Sequence, residues 1–279
     1  MAIKLMYITN RTEVALIAEK AGVERIFVDM EYIGKSERQN GMNTVQNHHT
    51  VEDVKNIKNT VSKSEVMVRI NPIHDATEEY CSSKEEIDAV IEAGADLIML
   101  PYFKTAEEVR SFIKMVNGRV RTIPLVETPE AVEVIDEILE IPGIDEIFIG
   151  LNDLGIGYGK TFMFEVLADG TVEKLCEKFR EKGIPYGFGG IASLGKGLLK
   201  GEYVIKEHYR LGSTCVILSR SFCNISQIEN LEIASELFER GIRDIRDYEE
   251  ECELCNEREF AENKHIVRKK VDVICQNME

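Results

Sequence analysis

The chain reads as an α/β protein of the (β/α)8 TIM-barrel class with a C-terminal helical extension, and three observations predict it. A phrase made of a glycine, a polar step and a short apolar run recurs three times. Eight such apolar runs alternate with eight stretches of helical pattern. The turn after the first run, Thr9-Asn10-Arg11, lacks the glycines that an open dinucleotide-binding sheet places there.

The recurring phrase is Ala21-Gly22-Val23-Glu24 before RIFVD, Ala93-Gly94-Ala95-Asp96 before LIMLP, and Pro142-Gly143-Ile144-Asp145 before EIFIG. Glycine is free to take positive φ and therefore suits the position just past a helix. The apolar run that follows has the length and composition of a strand buried on both faces. Each run stops seven residues after its glycine, at Asp29, Pro101 and Gly150. Helix, glycine, buried strand and polar end, repeated, describe βαβ units on a parallel sheet.

The same spacing predicts strands near 3–8, 25–29, 65–70, 97–101, 122–127, 146–150, 184–188 and 213–219. Helices are expected near 11–21, 50–62, 84–93, 105–116, 129–140, 171–182, 201–210 and 226–247. Thr105 and Thr128 occupy N-cap positions, and Thr105-Ala106-Glu107-Glu108 has capping-box spacing. Eight strands and eight helices in this length close most simply into a barrel, which leaves no sheet edge. The catalytic barrel is expected over 1–248. Residues 249–279, acidic in EEECELCNEREF and basic in ENKHIVRKK, form the helical extension. Its apolar positions Ile266, Val267, Val271 and Ile274 suit packing on the barrel or on a second copy in a homo-oligomer.

Composition narrows the function. With 34 Lys and Arg against 50 Asp and Glu, the net charge is −16, which argues against nucleic acid as a partner and leaves divalent cations open. No apolar stretch approaches the roughly 20 residues that span a bilayer. The start, MAIKLMYITN, lacks the features of a signal peptide, and seven scattered cysteines fit reduced thiols in the cytoplasm.

Chemistry in such a barrel sits at the C-terminal ends of the strands. The polar residues that fall there are Asp29 and Glu31, Arg69, Glu127, and Asn152 with Asp153. Strands lie about 4.8 Å apart, so groups ending the fifth and sixth can meet across the mouth. Glu127 closes the buried run IPLV, and a buried carboxylate must be paired, protonated or metal-bound. Two carboxylates, with water and substrate oxygens completing the shell, suit Mg2+ or Mn2+; an ion pair of Glu127 with Arg69 is the alternative. Arg69, in VMVRIN, needs an anion opposite it: a substrate carboxylate, or Asp29 or Glu31.

These residues lie within segments that resemble the HpcH/HpaI aldolase and citrate lyase family of the phosphoenolpyruvate/pyruvate barrel superfamily. AGVERIFVDMEY, VMVRIN, AGADLIMLPYFKTAEEVR and, most specifically, PLVETPEAVEVIDEILEIPGIDEIFIGLNDL carry the resemblance over roughly 12–222. It implies that Glu127 and Asp153 hold a divalent metal, Mg2+ first and Mn2+ or Co2+ as alternatives. Arg69 then binds the carboxylate and enolate of a pyruvate-like 2-oxo acid, and Gly150, Leu151 and Asn152 line the carboxylate pocket. The activity implied is a class II aldolase or carbon–carbon lyase, with an aldehyde or acyl compound as the second partner.

One position departs from the family. Aldolase members read Asp-x-Glu-His after the second strand, whereas this chain reads Asp29-Met30-Glu31-Tyr32. A tyrosine, with its pKa near 10, is a poor base at neutral pH. His48 and His49, later in the same 31–49 connection, are the candidate replacements; His74 or a hydroxide on the metal are others. The glycine-rich YGFGGIASLGKGLLKG after the seventh strand suits either an anion-binding loop or tight packing turns. Gly155-x-Gly157-x-Gly159 reads as a loop. Cys252 and Cys255 with His265 and Cys275 match no zinc-site spacing. Two other functions remain open: mutase or transferase chemistry on the same enolate scaffold, and a non-catalytic ligand-binding barrel that has lost its base.

Overall fold

The computed structural model describes residues 2–35, 47–225, 228 and 230–278. Eight parallel strands close in chain order: β1 (Lys4–Ile8), β2 (Arg25–Asp29), β3 (Glu65–Arg69), β4 (Leu97–Leu100), β5 (Arg121–Val126), β6 (Ile147–Ile149), β7 (Tyr186–Ile191) and β8 (Cys215–Leu218). β8 pairs back onto β1. The fold is the expected (β/α)8 barrel.

Around it run α1 (Thr12–Ala21), α2 (Val51–Thr60), α3 (Ser83–Glu92), α4 (Ala106–Val116), α5 (Pro129–Glu133), α6 (Ile135–Ile138), α7 (Leu151–Gly157), α8 (Glu165–Ala168), α9 (Thr171–Glu181) and α10 (Gly201–Leu211). The glycines of the recurring phrase do take positive φ: 103° at Gly22, 99° at Gly94 and 94° at Gly143. Thr105 and Thr128 cap α4 and α5, and Thr105 with Glu108 forms the expected box.

Four local expectations are corrected. The helix expected over 129–140 is two short ones, α5 and α6, divided at Val134 with φ −100° and ψ 15°. β7 runs on to Ile191, so the first glycines of the supposed loop lie inside a strand. Gly155 and Gly157 belong to α7, the fold's own continuation of β6, and not to a loop. The helix expected from 226 is α11 (Leu231–Glu253), which runs through position 248; residues 226, 227 and 229 lie outside the described ones.

Beyond α11, α12 (Glu257–Gln276) returns against α8 and α10. Val267 and Val271 are buried there, with Ile266 and Ile274 half-buried beside them. Asn263 fastens the two layers by donating to Tyr203 O at 3.1 Å and Glu207 Oε1 at 2.8 Å on α10.

The barrel interior follows the two-residue alternation of strands. Arg25, Phe27 and Asp29 are successive same-face positions of β2; Glu65, Met67 and Arg69 are those of β3. The middle layer is apolar, with Phe27, Met67, Met99, Ile123 and Phe148 among its members. Below it, Arg25 is wholly buried and meets Glu146 Oε1 at 2.5 Å and Glu65 Oε2 at 2.9 Å; Arg121 joins both carboxylates. β7 and β8 approach too closely for a side chain at Gly187, where a Cβ would lie 2.3 Å from Cys215 O.

The ionic base plate is a structural device with a measurable weight. Removing one partner of a buried ion pair costs about 3–5 kcal/mol because the other charge is stranded. Arg25→Met is expected to lower unfolding stability by about 3 kcal/mol, the low end, since Arg121 still reaches Glu146. Urea denaturation followed by circular dichroism checks this; an unchanged midpoint would show that the network carries no net stability.

Candidate active site

The C-terminal mouth is organised by β2 and β3, which put Asp29 and Arg69 in register. Arg69 donates from Nε to Asp29 Oδ1 and from Nη2 to Asp29 Oδ2, both at 2.8 Å, and its Nη1 lies 3.3 Å from Glu31 Oε2. Its guanidinium rests over the Phe27 ring at 5.5 Å. Arginine has five N–H groups, so these contacts leave it further donors at both terminal nitrogens.

Lys35, buried, places Nζ 3.3 Å from Asp29 Oδ2 and 3.1 Å from Glu31 Oε2. Asn47 donates to Asp29 Oδ2 at 3.0 Å. Burial by itself drives the Asp29 carboxyl upward, but Arg69, Lys35 and Asn47 outweigh it and hold the group well below the usual carboxylate range.

Glu127 presents the opposite balance. It follows β5 directly and is 2% exposed. Its Oε1 accepts from Tyr102 N at 3.0 Å, and Tyr102 makes that bond from a left-handed backbone, φ 49°. Burial, then the charges of Glu31 and Asp153, push the Glu127 carboxyl well above its ordinary value, with Arg69 only partly offsetting them. Thr128 fixes the strand end by donating to Phe103 O at 2.8 Å and capping α5.

Asp153 stands half-buried in the first turn of α7. Gly150, just before that helix, must lack a side chain: a Cβ there would lie 2.7 Å from Glu127 Oε2 and 2.8 Å from Glu127 Cβ. Its N–H donates to Val126 O at 3.0 Å, closing the ladder. Leu151 is buried, packing where Gly189 leaves room, and Asn152 is half-buried.

The charge of Asp153 disfavours ionisation of Glu127, and both residues line one cavity. Together with Asp29 and Glu31 they oppose Arg69 and Lys35, a formal excess of two negative charges among the described residues. That excess and the donor chemistry, carboxylate oxygens, fit one hard divalent cation. Among the described residues no group of three His, Cys, Asp or Glu side chains is arranged to hold a metal, so the mouth offers a pair, and the cysteines of the extension offer no zinc site.

The histidines are placed differently. His48 is exposed, its ring 6.3 Å from that of Tyr32, which also faces Tyr80 at 5.6 Å. His49 is half-buried, and its Nδ1 accepts from Asp29 N at 3.0 Å. A neutral ring in that bond carries its proton on Nε2, and burial lowers the His49 pKa. His74 is tied to Pro72 O at 2.7 Å and Cys81 O at 2.9 Å within the 72–83 turn. Residues 36–46 of the 31–49 connection lie outside the described ones.

Sequence reasoning missed Lys35, Asn47, Asn71 and Tyr102. Asn71 Oδ1 accepts from Tyr32 N and Ile33 N, each at 3.0 Å, while its Nδ2 donates to Glu86 Oε1 at 2.8 Å; this anchors the chain after Glu31. Lys35 had one signal, its i,i+4 spacing from Glu31. The glycine-rich segment resolves toward packing, since a Cβ at Gly189 would meet Leu151 at 2.6 Å and one at Gly201 Ala192 O at 2.7 Å.

A closed parallel barrel with an arginine and paired carboxylates at its C-terminal mouth defines the class: a barrel whose chemistry is set by polar strand ends. The model of the HpcH/HpaI aldolase/citrate lyase family matches residues 5–166, and the chain belongs to that family. Over 71 residues it is 34% identical to a pyruvate kinase of Methylorubrum extorquens, covering 25% of this chain and 14% of that protein. Over 103 residues it is 26% identical to a hydroxypyruvate/pyruvate aldolase of Sagittula stellata, covering 26% of this chain and 41% of the relative. The chain thus spans less than half the length of either curated relative.

Among solved structures, an HpcH/HpaI aldolase from Desulfitobacterium hafniense superposes with a TM-score of 0.57 at 16% identity, over 82% of this chain and 95% of that one. An HpcH/HpaI aldolase/citrate lyase family protein from Burkholderia cenocepacia gives 0.60 at 14% identity, over 83% and 94%. These likenesses show the fold. No helix among the described residues is long and apolar enough to cross a membrane.

The raised Glu127 pKa has a consequence for the metal-free protein. The folded state keeps a proton on Glu127 at pH values where the unfolded chain has released it, so this group's contribution to stability falls as pH rises above the ordinary carboxyl range. Asp29, shifted the other way, contributes stability that is lost as pH falls below that range. With divalent cations chelated, Glu127→Gln is therefore expected to stabilise the protein at pH 8 and to do so less at pH 4.5. Thermal unfolding across that range is the measurement; an equal effect at both ends would refute the assignment.

Proposed function

We propose that this protein is a divalent-metal-dependent aldolase or carbon–carbon lyase that works through a pyruvate-type enolate. The observation that carries the reading is Glu127: a buried carboxylate facing Glu31 and Asp153, whose ionised form needs a cation that the described side chains do not supply in full. Glu127 and Asp153 are the proposed ligands, with Mg2+ the first candidate and Mn2+ or Co2+ the others. The metal, when bound, supplies a positive centre that polarises a 2-oxo acid through its carbonyl and carboxylate oxygens.

Arg69 is proposed to bind the substrate carboxylate and stabilise the charge that develops on the enolate oxygen. Asp29 and Glu31 orient Arg69 through the three contacts they make with it, which fixes its remaining donors before substrate arrives. Gly150, Leu151 and Asn152 are proposed to line the carboxylate pocket. Proton transfer is assigned to His48 or His49. The His49 ring accepts from Asp29 N through Nδ1, so a second proton on it requires that bond to be released.

The proposed catalytic unit is the barrel, 1–248, with 249–279 as its helical extension, in a homo-oligomer. Seven free cysteines, four of them buried, support a reducing compartment such as the cytoplasm. A non-catalytic ligand-binding barrel is the second reading, favoured by Tyr32 standing where aldolase members carry histidine.

Exchange of the pyruvate methyl protons with deuterated water separates the two. With Mg2+, Mn2+ or Co2+ present, NMR should show exchange, and Glu127→Gln or Asp153→Asn should slow it by roughly 100-fold or more. Both substitutions should also weaken Mn2+ binding measured by calorimetry. The absence of exchange with all three metals would leave the non-catalytic barrel standing, and exchange that survives both substitutions would remove the proposed ligands.

Arg69→Lys is expected to slow exchange by about tenfold or more, because an ammonium cannot reproduce the planar fork held by Asp29. His48→Gln and His49→Gln, compared singly by the same assay, assign proton transfer; a role for His49 also predicts a shifted pH profile for whatever activity remains.

A further inference from the structure

We propose that the groove leading outward from Glu127 and Asp153 receives the second reactant, and that it selects an uncharged, hydroxylated aldehyde over carboxylated or phosphorylated ones. The inference rests on the enolate reading above and names the acceptor for that same site.

The groove encloses about 470 Å3 and has Glu127 and Asp153 on its wall, within the roughly 300–1,000 Å3 common for small-molecule sites. Its outer walls are Tyr102 and Lys104 from the β4–α4 connection, Glu130 and Glu133 from α5, and Ile156 from α7. Lys104 is the one cation among its described lining residues, and it is already engaged: Nζ lies 2.9 Å from Glu130 Oε1 and 5.6 Å over the Tyr102 ring. That pair cancels. Glu133 then leaves the outer groove negative.

A carboxylate or phosphate tail entering here would face like charge with no uncommitted described cation to receive it, and such juxtaposition is strongly disfavoured. The carboxylate of the 2-oxo acid does not meet this barrier, because its partner Arg69 comes from β3, outside the groove lining. Hydroxyl groups suit the walls well. They can donate to Glu130 and Glu133, while the carbon chain lies against the Tyr102 ring and Ile156.

In condensation, the methyl group of the 2-oxo acid loses a proton, and the resulting electron pair on that carbon forms the bond to the aldehyde carbon. The carbonyl π pair moves to the aldehyde oxygen, which takes up a proton. The product, a 4-hydroxy-2-oxo acid with further hydroxyls, contains all the atoms of both reactants.

The test compares glyceraldehyde, glyceraldehyde 3-phosphate and succinic semialdehyde as acceptors for pyruvate with Mg2+, each as kcat/KM. Methyl exchange without any aldehyde is measured in parallel. Glyceraldehyde is expected to exceed both anionic acceptors by about tenfold or more. Glu133→Lys should narrow that ratio by about fivefold or more, and because the ratio is internal to each variant, any general loss of activity cancels.

Methyl exchange with an anionic acceptor preferred, or with a ratio that Glu133→Lys leaves unchanged, would overturn the acceptor assignment alone. No exchange and no product would overturn the enolate reading and this inference with it.

Discussion

The two-residue alternation of the strands is the constraint on which the rest of the molecule depends. It puts Arg25, Phe27 and Asp29 at three heights along one face of β2, and Glu65, Met67 and Arg69 at the matching heights of β3. The parallel register then aligns the layers, so charges gather at each end and the apolar side chains between them fill the middle. Each end has a different solution to the burial of charge. At the base, Arg25 and Arg121 oppose Glu65 and Glu146, and the formal charges cancel. At the mouth the described carboxylates Asp29, Glu31, Glu127 and Asp153 face only two described cations, Arg69 and Lys35.

That imbalance separates a site from a plug. Arg69 and Lys35 hold Asp29 in the ionised state, and Glu31 lies against the same two cations. Glu127 accepts a backbone amide, and Arg69 only partly offsets the charges of Glu31 and Asp153 nearby. Its position is nevertheless enforced on every side. Gly150 clears the space it occupies, Tyr102 adopts a left-handed backbone while bonding to it, and Thr128, the next residue, is tied to Phe103 O. A left-handed non-glycine residue is held only where its surroundings demand it. The fold maintains an electrostatically unfavourable carboxylate in a fixed place.

Much of this was legible in the sequence, for physical reasons that vary by element. The three glycine phrases exposed the βαβ period because only glycine tolerates their φ values cheaply, and the structure places all three at positive φ. The polar strand ends stood out because charged residues seldom terminate apolar runs by chance. The ionic base is hidden in the sequence, although Arg25 and Glu65 lie two residues before Phe27 and Met67, because strands buried on both faces show no polar alternation to mark their inward positions. Asn47 and Asn71 act through contacts between segments far apart in the chain, of which sequence spacing carries no record, and Lys35 is marked only by its i,i+4 spacing from Glu31. α7 was hidden by its glycines. Gly157 is there because a Cβ would lie 2.5 Å from Pro129 Cδ, a packing demand that overrides its poor helix propensity.

The departure at Tyr32 acquires a physical setting from the same contacts. Asn71 holds the backbone of Tyr32 and Ile33, so the chain follows a fixed course past Glu31 and the tyrosine ring is turned toward His48 and Tyr80 at the rim. His49 meanwhile closes on the amide of Asp29, the residue that also orients Arg69. One carboxylate-bearing residue is thus joined through its backbone to an imidazole and through its side chain to the guanidinium. A change in the protonation of His49 would have to disturb the Asp29 amide, and through it the anchor of Arg69. His49 and Arg69 are therefore mechanically linked through Asp29.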